Sequence, residues 1–309
     1  MLVSACATAR LAPRVTPLVD HHQHIFSPPL ATLLGGQTIT ARDVLGLLDT
    51  AGIERAVILS PAYIWSNARR NIPDDYTKVK AENDWVASQV AQNSSRLVGF
   101  CGLNPLKDYA LAEIDRCSKI PSMSRGIKLH FGNSDVQLEN PEHVEKVRRV
   151  FSAANEHHMA IVVHMRASIS LKRAYGAAQA RVFLEQILPA APDIVVQVAH
   201  LAGTGPGYED PPADSAMAFL ADAVQRHDPR TRNLWFDITS VVNREITPAT
   251  AALVAKRIRQ VGVDRILYGT DAAAGDNLRP RESWAAFRRL PLSESEFERI
   301  ASNVAPYLR

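Results

Sequence analysis

The sequence predicts a single-domain α/β protein built as a (β/α)8 TIM barrel. Three observations carry this: eight short, nearly continuous apolar runs, segments of helical period between them, and even spacing of positions 128, 164, 200 and 236 near the ends of four runs. Apolar runs without strict alternation suit strands buried on both faces, as a parallel sheet requires. Repeated strand–helix units, eight in number, close into a barrel.

The first run is Leu-Val-Asp-His-His-Gln-His over residues 18–24. Others follow at 55–60, 96–101, 126–130, 160–164, 194–200, 233–237 and 265–271. After the first run, Thr40 is a capping residue for a helix that reaches Ala51 and stops at Gly52. Residues 141–158 carry Val144, Val147, Val150 and Phe151 at helical spacing, and a further helix is expected from near Arg173 to Pro189. Ser293-Glu-Ser-Glu296 has the form of a capping box for a final helix. An open doubly wound sheet is the rival fold, but no Gly-rich dinucleotide turn follows the first strand. No low-complexity linker divides the chain, so residues 18–309 are expected to form the barrel and residues 1–17 a leader.

With 309 residues, 46% hydrophobic and 22% charged, the chain is long enough for two small domains or one barrel, and disorder and collagen are excluded. The net charge of +3 comes from basic residues interspersed with acids, as in Glu142-His-Val-Glu-Lys-Val-Arg148, which gives no nucleic-acid surface. No apolar run reaches the roughly 18 residues of a transmembrane helix. Cys6, Cys101 and Cys117 lack C-x-x-C spacing, so no disulfide scaffold is expected. Met1-Leu-Val-Ser-Ala-Cys6 is like the end of a bacterial lipoprotein signal, though the charged and long apolar parts of such a signal are missing. A truncated signal would put the protein in the periplasm or cell envelope; a chance likeness would leave it cytoplasmic.

In such a barrel the C-terminal ends of the strands face the active site. Those ends carry His22 and His24, Lys128 and His130, His164, His200, and Asp271. His22 and His24 are two apart and point inward together, with Gln23 turned away. Imidazoles and a carboxylate, without thiolate, suit a divalent metal: Zn²⁺ first, with Mn²⁺ or Fe²⁺ as alternatives. His130, His143, His157, His158 and His227 are read as structural, and His21 as facing away. Arg166 shares the face of His164 and is a candidate clamp for an anionic substrate. Tyr63 and Trp65, with Phe26 and Tyr208, are candidate pocket walls. Asp237 and Asp20 are expected to order strand ends or a ligand histidine.

Asp20-x-His22-x-His24, His164, His200 and Thr270-Asp271 together resemble the metal-binding signature of the amidohydrolase superfamily, in its amidohydrolase-2 branch. Glu82-Asn83-Asp84, residues 96–105, Gly126-Ile-Lys-Leu-His130 and residues 303–308 extend the likeness over nearly the whole chain. The resemblance implies metal contacts from His22, His24, His164 and Asp271, with Asp271 also the base. His200 would be a catalytic group that polarises substrate, or a ligand of a second metal in a binuclear site. Lys128 is carboxylated in binuclear members and bridges the metals; otherwise it would hold a substrate carboxylate or pair with Asp271. Because the branch usually works with one metal, the unmodified lysine is favoured.

The activity so implied is metal-dependent hydrolysis of a C–O or C–N bond in a small, potentially anionic lactone, ester or amide. The alternative is non-oxidative decarboxylation of an aromatic or unsaturated acid. A second alternative is a non-catalytic protein that binds metal or a ligand. The expected partner is a small-molecule substrate, and a homodimer is left open.

Overall fold

The structure, a computed structural model, describes residues 15–273 and 275–309. The Cys6 motif lies outside the described residues. Along the chain run β1 (Val19–Gln23), α1 (Pro28–Leu34), α2 (Ala41–Ala51), β2 (Arg55–Leu59), α3 (Asp75–Ala91), β3 (Leu97–Gly102), α4 (Ala110–Ser118), β4 (Gly126–His130) and α5 (Phe131–Ser134). Then come α6 (Pro141–Glu156), β5 (Ala160–His164), α7 (Ala177–Val182), β6 (Val196–Val198), α8 (Pro211–Gln225), β7 (Leu234–Asp237), α9 (Pro248–Val261), β8 (Ile266–Leu267), α10 (Pro280–Phe287) and α11 (Glu294–Ser302).

The eight strands are parallel and pair in sequence order. The remaining seam is bridged by His21 N–H donating to Tyr268 O at 2.8 Å and Asp271 N–H donating to His22 O at 2.7 Å. The chain is thus a single-domain (β/α)8 barrel. The lack of alternation in the apolar runs now has its explanation, since consecutive residues serve two cores. Val57 and Leu59 face an inner core with Phe100, Val162 and Leu267, while Ile58 faces the outer layer of helices. Burying each such side chain contributes about 1.5–3 kcal/mol.

The capping signals hold in detail. Thr40 and Asp43 form a capping box on α2, which Gly52 closes at φ 73°, and Ser293 with Glu296 does the same for α11. The helix expected from Arg173 starts only at Ala177 and passes through a π turn at Phe183–Ile187 before Pro189. Two runs are shorter strands than expected. The sixth ends at Val198, so His200 sits in the following turn, and the eighth ends at Leu267, so Asp271 lies in the loop beyond it.

The cysteine expectation concerned a disulfide scaffold, and the structure shows one bond that it did not foresee. Cys101 at the end of β3 and Cys117 in α4 form a buried disulfide across strand and helix. Barrel packing sets such a pair side by side, which spacing along the chain does not report. Among the described residues no helix is long and apolar enough to cross a membrane.

Two polar networks tie β1 and the segment after α11 into the barrel. After α11, Pro306–Leu308 inserts Tyr307 into the inner core against Phe100, and its hydroxyl donates to Gln197 Oε1 at 2.6 Å. His21 accepts from Ala305 N–H at Nε2 and donates from Nδ1 to Tyr268 O, a structural role. Asp20 accepts from the N–H groups of His22 and Thr270, each at 3.1 Å, from Gln23 Nε2 at 2.8 Å and from Thr270 Oγ1 at 2.6 Å. It thereby joins β1 to the loop that carries Asp271. Asp20→Ala leaves these buried donors without their acceptor and is expected to cost about 2–3 kcal/mol. A shift in the urea midpoint at unchanged slope is the check; an unchanged midpoint would mean the network does not hold the seam.

Candidate active site

The strand ends converge on a cavity of about 510 Å³ at the C-terminal mouth of the barrel. His22, His24, Lys128, His164, His200 and Asp271 all line it, as do His130, Tyr63 and Phe26. One wall is apolar, from Phe26, Leu34, Ile39 and Ile64.

The imidazoles are held by their Nδ1 atoms. His22 Nδ1 lies 3.1 Å from Asp237 Oδ2, His24 Nδ1 2.5 Å from Leu59 O and His200 Nδ1 2.8 Å from Thr239 O. Each partner is an acceptor, so Nδ1 carries the hydrogen and Nε2 keeps its lone pair. Burial pushes the His22 and His24 rings well below their ordinary pKa and lowers that of His200, which favours the neutral form of each. His22, His200 and Asp271 each offer one ligand atom within 4.8 Å of the others. His24 Nε2 lies 3.6 Å from Asp271 Oδ1, an oxygen that is buried and has no hydrogen-bond partner among the described residues. His164 stands beside this group, its ring centroid 5.0 Å from that of His200.

Such an arrangement fits a divalent cation. Neutral imidazoles with unprotonated Nε2 atoms and one orphaned carboxylate oxygen are the donor set it requires, and a buried carboxylate oxygen without a partner is otherwise costly. Burial pushes Asp271 up, opposed by nearby Lys128, and pushes Lys128 down. Lys128 is fully buried, with Nζ 3.1 Å from His22 Nε2.

The backbone supports the same centre. His200 and Asp271 adopt φ 55° and 53°, the left-handed region that non-glycine residues enter rarely and mainly at functional sites. Gly269 lies so close to β1 that a Cβ there would collide with Thr239 Oγ1 and stand 2.8 Å from His22 Cβ. Asp237 is the hub beneath. Its Oδ2 also accepts from Gln197 Nε2, and its Oδ1 accepts from His200 and Thr239 N–H. Burial pushes this carboxyl up, but its contacts with His22 and His200, hydrogen bonds among them, outweigh it and hold Asp237 below the usual carboxylate range.

Several expected pocket residues are engaged elsewhere. Arg166 is buried in an ion pair with Asp210, Nε to Oδ2 at 2.6 Å, and lies over the Tyr175 ring, so its guanidinium is not a free clamp. Trp65 does not line the cavity; its Nε1 donates to Glu82 at 3.3 Å. Tyr208 is buried and donates to Leu201 O. His130, read as structural, lines the cavity instead. His143 follows the structural reading, with Nδ1 accepting from Gln137 N–H.

Glu82 was missed as a support for the site. Its carboxylate accepts from Ser27 N–H and Oγ as well as from Trp65, which pins the loop carrying Phe26 and the start of α1 onto α3. Asn83 beside it pairs with both backbone groups of Gly102 at the end of β3. The Glu-Asn-Asp motif was visible, but its contacts lie across the fold.

Comparison with known proteins defines the class. The amidohydrolase-2 family model, described as amidohydrolase, matches residues 19–305, and the chain belongs to that family. No curated protein matches it. Among solved structures it is similar to a 2,6-dihydroxybenzoate decarboxylase complexed with 2,6-dihydroxybenzoate, at 16% identity over 93% of this chain and 97% of that one, TM-score 0.65. A dihydroxybenzoic acid decarboxylase from Polaromonas sp. JS666 with bound manganese is similar at 16% identity over 93% and 95%, TM-score 0.59. A probable 2-pyrone-4,6-dicarboxylic acid hydrolase from Acinetobacter baumannii is similar at 17% identity over 92% and 96%, TM-score 0.59. At these identities the structural likeness speaks for the fold.

Proposed function

We propose that this chain is a metal-dependent hydrolase that cleaves a C–O or C–N bond of a small lactone, ester or amide. The observation that carries the reading is Asp271 Oδ1, buried, unpartnered among the described residues, and facing His24 Nε2 at 3.6 Å across the cavity. His22, His24, His164 and Asp271 would hold one divalent metal, with zinc favoured for this nitrogen and oxygen donor set. When bound, that ion supplies Lewis acidity toward water and a carbonyl oxygen. Asp271 takes the proton from the attacking water at the carboxylate oxygen that does not serve the metal, and returns it to the leaving group. His200, next to His22 and donating from Nδ1 to Thr239 O, presents its Nε2 lone pair as an acceptor for a proton of the attacking water, so it does not polarise the carbonyl as a donor. Lys128 acts as the unmodified amine, a cation for a substrate carboxylate, which the paired Arg166 does not supply. Carboxylation of Lys128 would instead give a binuclear site with His200 as a further ligand. Metal counting on the native chain and on Lys128→Ala separates these: one ion per chain in both is expected, and two in the native chain would refute the single-metal site.

Decarboxylation is the second reading. Phe26 stacks on His24 at a centroid distance of 6.3 Å and 16° between planes, a flat wall suited to a planar ring. Metal-loaded protein, screened against lactones, esters, amides and aromatic acids in water labelled with oxygen-18, distinguishes the two. Hydrolysis places the label in the organic product; carbon dioxide release with an unlabelled organic product would favour the lyase.

A further inference from the structure

One imidazole of the cavity is wired the opposite way from its neighbours. His130 caps the short α5 turn: Asn133 N–H donates to its Nδ1 at 3.2 Å. A nitrogen that accepts carries no hydrogen, so the His130 ring must be the tautomer protonated at Nε2. His22, His24 and His200 donate from Nδ1 and present a lone pair at Nε2. His130 therefore has no lone pair left for a metal, and what it retains is a donor.

The ring is held by two aromatic neighbours. It stacks on His164 with centroids 3.9 Å apart and 14° between planes, and Tyr63 packs against it at 5.1 Å. All three line the cavity. A donor so held needs no reorganisation on meeting an acceptor oxygen, which is the condition for strong polar recognition.

We infer that His130 is a substrate-binding residue, whose Nε2–H donates to a carbonyl or carboxylate oxygen of the substrate while His164 beside it serves the metal. This rests on the hydrolase reading for the identity of that oxygen, but the tautomer and the absence of metal ligation do not. It also predicts how two amides will behave. Asn places an acceptor where Nδ1 stands and is a good helix cap, so His130→Asn keeps the Asn133 contact and removes the cavity donor. Gln places an N–H near the position of Nε2, so His130→Gln keeps the donor and gives up the cap.

Three readouts test this. Histidine ¹⁵N NMR on the metal-free and metal-loaded full chain should show His130 protonated at Nε2. Zn²⁺ affinity should be unchanged in His130→Asn. In whichever reaction the oxygen-18 screen identifies, His130→Asn should lose about 10- to 100-fold in kcat/KM and His130→Gln no more than about fivefold. Protonation at Nδ1, weakened Zn²⁺ binding in His130→Asn, or equal losses in both variants would each overturn the proposal. If the screen returns carbon dioxide release in place of hydrolysis, the hydrolase reading fails while the three readouts still judge His130.

Discussion

Asp271→Asn is expected to lower kcat by about 10³-fold at saturating metal, within the range that a positioned acid–base group contributes. The amide is nearly the same size and can still offer an oxygen to metal, but it cannot take up a proton. Apart from holding metal, Asp271 has little else to do in the site. Its Oδ1 has no partner among the described residues, and the backbone is held at φ 53° by its own N–H bonding to His22 O. Steady-state rates across a metal titration separate the two functions. A rate that recovers fully when metal is raised would reduce Asp271 to a ligand and move the base elsewhere.

Asp237→Ala is expected to weaken metal binding by about 10- to 100-fold, the usual effect of removing the carboxylate that orients a ligand histidine. Asp237 does not reach the cavity mouth, but it fixes the His22 ring at Nδ1 and the His200 backbone at N–H. Removing it also strands Gln197 Nε2 and Thr239 N–H, so unfolding should become easier by about 3–5 kcal/mol. Asp237→Asn is the informative partner, because it fills the same space while its amide can present hydrogen to His22 Nδ1 and favour the wrong tautomer. Isothermal titration with Zn²⁺ and urea unfolding on both variants check this. Native affinity in either variant would show that Asp237 supports only the fold.

How much of this was legible beforehand depends on the kind of contact. The barrel could be read because burial on both faces leaves its mark on every strand, Val57, Ile58 and Leu59 being one example. The convergence of His22, His24, His164, His200 and Asp271 could be read because strand ends in a barrel share one mouth. Pairings between distant segments could not. Arg166 sits on the expected face, but its charge is taken by Asp210, and Trp65 turns to Glu82. Cys101 and Cys117 meet only because α4 packs on β3. His130 was read as structural because tautomer and stacking are set by Asn133 N–H and His164. Gln197, which continues the hydrogen bonds from Asp237 to Tyr307, carried no signal of its own, and Tyr307 was legible only as part of the family likeness of residues 303–308.

Chelator dialysis followed by stepwise return of Zn²⁺ or Mn²⁺, with bound metal and turnover measured on the same samples, is the most direct test of a metal-dependent site at this mouth. Turnover should be lost with the metal and return in proportion to it, reaching its plateau at one ion per chain. Full turnover by metal-free protein, or activity unrelated to bound metal, would contradict it.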